Sequence, residues 1–170
     1  QVIEIMFVAD LAFYWTHRLF HRVPMLWKFH AVHHSLEDLD WLAGNRMHFF
    51  DLFMTKGTGF AIVILLGFSP AAIGLWLLIF GWHSILLHSN VRVSFGPLNH
   101  LLTTPHFHRW HHAAEEEAYD NNFAGQLSIL DRMFGTYYMP ERAPIAYGID
   151  QPMPTNWVAQ FLYPLQRARS

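Results

Sequence analysis

The sequence predicts an all-α fold, an integral membrane helical bundle with a His-rich di-metal part on one membrane face. Three observations carry that expectation. Hydrophobic residues make up 52% of the 170 and charged residues only 14%, against roughly a quarter charged in an average soluble domain. Residues 57–91 contain no Lys, Arg, Asp or Glu, a longer run than a buried soluble helix requires. The 13 His outnumber the 11 Lys and Arg together, and ten of them fall in two clusters, His17 to His34 and His100 to His112.

The chain opens on Gln1 and enters apolar sequence at once, so it reads as a piece of a longer protein and not as a cleavable signal peptide. Residues 2–20 form an apolar helical stretch interrupted by Glu4 and Asp10, with Tyr14 and Trp15 where an interfacial aromatic belt belongs. We expect a span there. Asp10, inside it, is expected to serve the site, for instance by orienting a ligating histidine.

Gly67-Phe68-Ser69-Pro70 is a turn signature: Ser69 can cap a helix that has Pro70 in its first turn. The charge-free run is therefore a hairpin. Its returning arm, residues 71–91, has the length of a span, whereas the outgoing arm must borrow from residues 49–55. Asp51 and Lys56 then lie near the headgroups or inside the bundle, which allows a partly inserted hairpin as well as two full spans. A hairpin returns the chain to its starting side, so residues 22–56 and 92–170 share a face. Arg22, Lys28, Arg46, Lys56, Arg92 and Arg109 fall on it and the tip carries no charge, which makes that face cytoplasmic by the positive-inside rule. After Met139 come five of the nine prolines. Residues 141–170 thus read as an irregular tail, with a short helix near Asn156 to Arg169, following one membrane catalytic domain over residues 1–140.

Several function classes fall away. A net charge of -2 offers no basic surplus for a phosphate backbone, so no nucleic-acid partner is expected. The absence of Cys excludes disulfides, iron–sulfur clusters and Cys-type zinc sites. Gly57-Thr58-Gly59 lacks the third glycine of a dinucleotide fingerprint.

The histidine spacing carries the chemistry. His17 and His21 are four apart, so a helix places both imidazoles on one face. His30, His33 and His34 follow at i, i+3 and i+4, and His108, His111 and His112 repeat that spacing. Eight imidazoles exceed what one ion takes, since a zinc site uses four ligands, so two metals are implied. Imidazole suits iron, zinc, copper and nickel alike. Neither HExxH nor HxxEH occurs, so the glutamate base of a zinc hydrolase is missing, and Glu115 to Glu117 read as a solvated loop. Oxygen chemistry on iron needs mainly ligands, an open position and outside electrons.

The pattern Asp10-x-x-x-Tyr14-Trp15-x-His17-Arg18-x-x-His21, His30-x-x-His33-His34, Arg46-x-His48, His88-Ser89-Asn90, Thr104-Pro105-x-Phe107-His108-Arg109-Trp110-His111-His112, Asn122-Phe123-Ala124 and Asp131-Arg132-Met133-Phe134-Gly135-Thr136-Tyr137 resembles the fatty acid hydroxylase superfamily, also called the sterol desaturase family. The resemblance runs from about Asp10 to Pro140. It implies an integral membrane oxidoreductase with two metal ions, generally iron with zinc as a substitute. Such an enzyme uses O2 and external electrons to hydroxylate or desaturate a lipid, with a cytochrome b5-like or ferredoxin donor and its reductase. By the same resemblance the ligands are His17, His21, His30, His33, His34, His108, His111 and His112, joined by His48 and His88. Around His48 the match departs from the family: Phe49 replaces a proline and Asp51 stands for a glutamate. His83, His100 and His106 are expected in bundle or loop roles, Trp110 behind the site, and Asn122 with residues 131–137 as packing and capping elements. The rival readings are a zinc-dependent membrane hydrolase, a non-catalytic membrane metal-binding protein and a haem-binding bundle with paired His on facing spans.

Overall fold

The computed structural model describes residues 1–166. These form seven α-helices joined by loops and short 3-10 turns, with no strand among the described residues beyond one isolated bridge, Ala113 with Tyr147.

Helix α1 (Val2–Arg22) runs almost directly into α2 (Pro24–His34). Val23 between them is extended, the conformation that a following proline imposes, and Pro24 is accommodated because the first turn needs no intrahelical N–H. The chain therefore reverses within one residue and brings the last turns of α1 against α2. Helices α3 (Phe49–Leu65) and α4 (Pro70–His88) form the expected hairpin. Gly67 turns it with φ +74°, and the Ser69 hydroxyl accepts from the Ala72 N–H at 3.3 Å.

Close approach of α1 and α3 sets the geometry. A Cβ on Gly59 would lie 3.0 Å from the Ala9 carbonyl oxygen, so only a residue without a side chain allows the two backbones to touch here. Ile5, Ala9, Val63 and Trp76 fill the core that results.

Helix α4 is long and apolar enough to cross a membrane. Its outward side chains include Leu78 and Trp82, 58% and 68% exposed, a surface that a bilayer stabilises and water does not. Helix α3, at 17 residues, is shorter than a full span. The stretch expected as a first span is helical throughout, but Glu4, Asp10 and Arg18 set it below the apolar content of α4. The reason is visible at Asp10, which serves protein backbone instead of facing lipid: it accepts from the N–H groups of Gly125, Gln126 and Leu127 at 2.9, 3.0 and 2.7 Å.

The remaining elements close over the ends of α1, α2 and α4. Helix α5 (Pro105–His111) is capped by Thr104, whose hydroxyl accepts from the Phe107 N–H. Helix α6 (Ser128–Phe134) ends at Gly135, φ +72°. The Asp131 carboxylate accepts from the N–H groups of Phe123 and Ala124 and from the Thr136 hydroxyl. Asn122 ties Phe107 to Tyr138. The expected packing and capping roles of residues 122 and 131–137 are what these bonds perform. In the tail, α7 (Trp157–Leu162) is capped by Asn156; the part of the expected helix at residues 167–169 lies outside the described residues.

Candidate metal centre

Four helices deliver nine imidazoles to one place. His17 and His21 come from the last turns of α1, His30, His33 and His34 from the end of α2, His88 from the last residue of α4. His108 and His111 lie on α5 and His112 closes it. They divide into two groups. His17, His21, His30, His34 and His111 form one and His33, His88, His108 and His112 the other, with the ligand atoms of each group within 4.8 Å of one another.

The spacings inside the groups decide what can fill them. In the first, Nε2 of His30 lies 3.0 Å from that of His17 and 3.1 Å from that of His34, which is 3.0 Å from that of His111. In the second, Nε2 of His108 lies 2.9 Å from that of His88 and 3.1 Å from that of His112, while His88 and His33 are 3.5 Å apart. A metal–imidazole bond of about 2.1 Å puts right-angle ligands about 3.0 Å apart and tetrahedral ligands about 3.4 Å apart. Both groups thus hold Nε2 atoms at the separations that ligands of one ion adopt.

The outer nitrogens fix the tautomers. Nδ1 of His17 donates to the Phe123 carbonyl at 2.7 Å, His111 to Asn121 at 2.8 Å, His88 to Ser84 at 2.7 Å and His33 to Arg46 at 3.2 Å. His30 Nδ1 donates to the buried carboxylate of Asp51 at 2.8 Å. With its proton committed outward, each of these rings turns a bare Nε2 lone pair inward, and adjacent lone pairs repel unless a cation lies between them. His21 Nε2, also inside the first group, is buried with no hydrogen-bond partner among the described residues. The donor set therefore fits two metal ions.

Electrostatics agree. Burial, and then the neighbouring imidazoles, hold His30, His33, His34, His108 and His112 well below the ordinary histidine range. His111 is lowered by burial and by His17. Neutral rings are the form that ligates.

The structure does not bring His48 to either group. Its Nδ1 accepts from the Phe50 N–H at 3.0 Å, capping α3, and its Nε2 donates to the Phe161 carbonyl at 3.1 Å. Both nitrogens bond to backbone, so the tenth residue expected from the family pattern lies outside the two groups, between the start of α3 and the tail. Asp10 likewise touches no ligating histidine and acts through the 125–127 backbone. His83, His100 and His106 bond to Thr103, Arg132 and Pro140. Trp110 is buried against Tyr138 behind the site. Glu115, expected in a solvated loop, instead pairs with Arg142 and accepts from the Ile145 N–H. Missing from the sequence reading were the carbonyls that orient the rings and the hydrogen bond from His30 to Asp51. A backbone acceptor has no residue-type signal, although a carboxylate three residues after His48 offered one.

Two openings reach the centre. One, about 370 Å³, is lined by His21, His34 and His111 together with Trp27, Asp120 and Asp150. On the bundle side a tight cavity of about 40 Å³ touches His17, His30, His33, His88 and His108. Phe13, Thr55, Lys56 and Phe80 line both it and an apolar cavity of about 370 Å³ between α1, α3 and α4.

Comparison with known proteins gives matches over most of the chain. The fatty acid hydroxylase family model matches residues 2–136. Ornithine lipid hydroxylase OlsE of Rhizobium tropici is 33% identical over 169 residues, 98% of this chain and 51% of that protein. Alkylglycerol monooxygenase of Xenopus tropicalis is 32% identical over 147 residues, 86% of this chain and 32% of that protein. Methylsterol monooxygenase 1 of Rattus norvegicus is 27% identical over 132 residues, 76% of this chain and 43% of that protein. The chain thus spans about half or less of the length of these curated relatives. No solved structure matches it.

Proposed function

The chain belongs to the fatty acid hydroxylase family, and from that premise we propose that it is the catalytic part of a membrane-bound oxidoreductase that inserts oxygen into a lipid at a histidine-held di-iron centre. The observation that carries this reading is the pair of imidazole groups, five and four, with Nε2 atoms at ligand spacing. Two bound irons would supply an oxidant strong enough to break an unactivated C–H bond, given O2 and two electrons. The balance is that of a monooxygenation: R–H, O2, two electrons and two protons give R–OH and water. Desaturation differs in removing a second hydrogen and releasing a second water. The relatives named hydroxylase or monooxygenase favour the first outcome.

The residues have separable tasks. His17, His21, His30, His34 and His111 would hold one ion and His33, His88, His108 and His112 the other. Nine ligands over two six-coordinate ions leave about three positions for oxygen and substrate. Asp51 and the carbonyls of Phe123, Asn121, Ser84 and Arg46 keep the rings aimed. The apolar cavity between α1, α3 and α4 receives the lipid chain and excludes water from the reacting carbon. Residues 1–140 would carry this chemistry and residues 141–170 serve as a tail latched on by His48 and Arg142. The cationic loops put the histidine face in the cytoplasm, where a cytochrome b5-like or ferredoxin donor with its reductase delivers electrons.

The test is metal analysis with Mössbauer spectroscopy on full-length protein purified anaerobically from iron-fed cells. We expect about two irons per chain in one coupled centre, and loss of iron and turnover in His111→Ala. One zinc per chain, or full activity in His111→Ala with both ions retained, would sink the assignment.

A further inference from the structure

Lys56 and Gln126 have no role in holding metal, and both line the apolar cavity beneath the histidines. Lys56 sits in the second turn of α3. Among the described residues its ammonium makes no ion pair, and it lies 5.9 Å from the centre of the Phe80 ring. Phe80 precedes the end of α4 at His88 by eight residues, about 12 Å along the axis. The lysine is half-buried, with its ammonium beside that ring. It stays level with the cavity, and lines the apolar chamber, the histidine-lined chamber and a third, about 170 Å³, that opens past Trp41 and Asn45.

Gln126 is 1% exposed. Its Oε1 accepts from the Trp76 indole N–H at 3.0 Å, which fixes the orientation of the amide because an indole can only donate. Its Nε2 is then left buried with no partner among the described residues. Both side chains line the chamber; its other polar lining groups, the Asp10 carboxylate and the Thr55 hydroxyl, are engaged with backbone, and Asp51, the carboxylate whose charge acts on Lys56, lies beyond ion-pair distance with its Oδ2 on the His30 ring. Buried donors are costly unless a partner arrives, and a cation in apolar surroundings asks for an anion and not merely a hydroxyl.

We propose that Lys56 and Gln126 form the headgroup anchor of the substrate site, binding a lipid oxyanion, carboxylate or phosphate, at the neck between the apolar cavity and the histidines. The proposal rests on the lipid-oxidising reading only in taking that cavity as the lipid's place. It implies that the carbon presented to the centre lies near the polar end of the lipid, since the anchor stands where the two chambers meet.

The experiment is equilibrium binding of radiolabelled oleate, dioleoyl phosphatidate and oleyl alcohol to iron-loaded full-length protein in detergent. The first two carry an oxyanion and the third does not. A charge-assisted contact should make at least one oxyanion lipid bind about tenfold or more tighter than the alcohol. Whichever of oleate and phosphatidate wins assigns the group as carboxylate or phosphate. Lys56→Met and Gln126→Leu should each erode that preference with iron content unchanged, and Lys56→Arg should keep it. Should Lys56→Met lose its iron, Gln126→Leu decides, because it touches no ligating histidine. Equal binding of all three lipids, or a preference that survives both substitutions, overturns the proposal. Binding is read without turnover, so failure of the oxygenase reading would leave this result standing, and the reverse.

Discussion

Gly44 sets a limit on the second imidazole group that no histidine pattern reveals. A Cβ there would lie 2.8 Å from His88 Nδ1 and 3.0 Å from its Cε1, while the same Nδ1 is held by the Ser84 carbonyl. That bond holds the ring against an added methyl. Gly44→Ala should therefore push His88 off its ligand position and bring the metal content from about two ions per chain toward one. Elemental analysis beside a circular dichroism spectrum checks this; two retained ions in a folded variant would mean that the ring relocates without loss. His48 makes the complementary point. It has the residue type of a ligand, but its surroundings commit both nitrogens to backbone, and a ring cannot cap a helix through Nδ1, fasten a tail through Nε2 and bind an ion as well.

Among the elements, α1 and the loop over residues 121–127 depend on one another. Asp10 gathers three N–H groups of that loop, and the loop in turn supplies the Phe123 carbonyl to His17 and the Asn121 carbonyl to His111. Gly125 permits the approach, since a Cβ there would stand 3.0 Å from Asp10 Oδ1. A carboxylate that touches no candidate ligand thus aims two of them through the backbone. Asp10→Ala leaves three donors without their acceptor and should cost at least about 2 kcal/mol. It should also weaken iron retention, because the rings lose their orienting carbonyls. Thermal unfolding in detergent together with iron content reads both effects. An unchanged melting temperature would mean that the loop is held by other contacts, chiefly Asp131 and Asn122.

At the scale of the whole molecule, nine imidazoles gathered in one buried site tie metal, fold and pH together. Burial lowers the six histidines of α2 and α5 below the ordinary value of 6.5. Between their depressed values and 6.5 the unfolded chain holds more protons than the folded one, so stability rises with pH there and is complete above it. Acid should therefore both loosen the fold and eject the ions, with iron content and melting temperature flat above about pH 7 and falling together below about 6.5. A melting temperature that rose on acidification would reverse the sign and refute the linkage. Much of this was legible in the residues. Spacings of three and four along helices put eight histidines on shared faces, and the hairpin followed from a charge-free run broken by Ser69-Pro70, because local propensity and hydropathy act along the chain. The expectation of two metals rested on the number of imidazoles. The chain alone could not divide nine rings into five and four, exclude His48, turn Asp10 from the site toward a backbone loop or leave Lys56 and Gln126 facing one cavity. Each of those depends on which atoms of distant segments meet, and a hydrogen-bond acceptor on the backbone, or the lack of one, is a property of tertiary packing that residue identity does not encode.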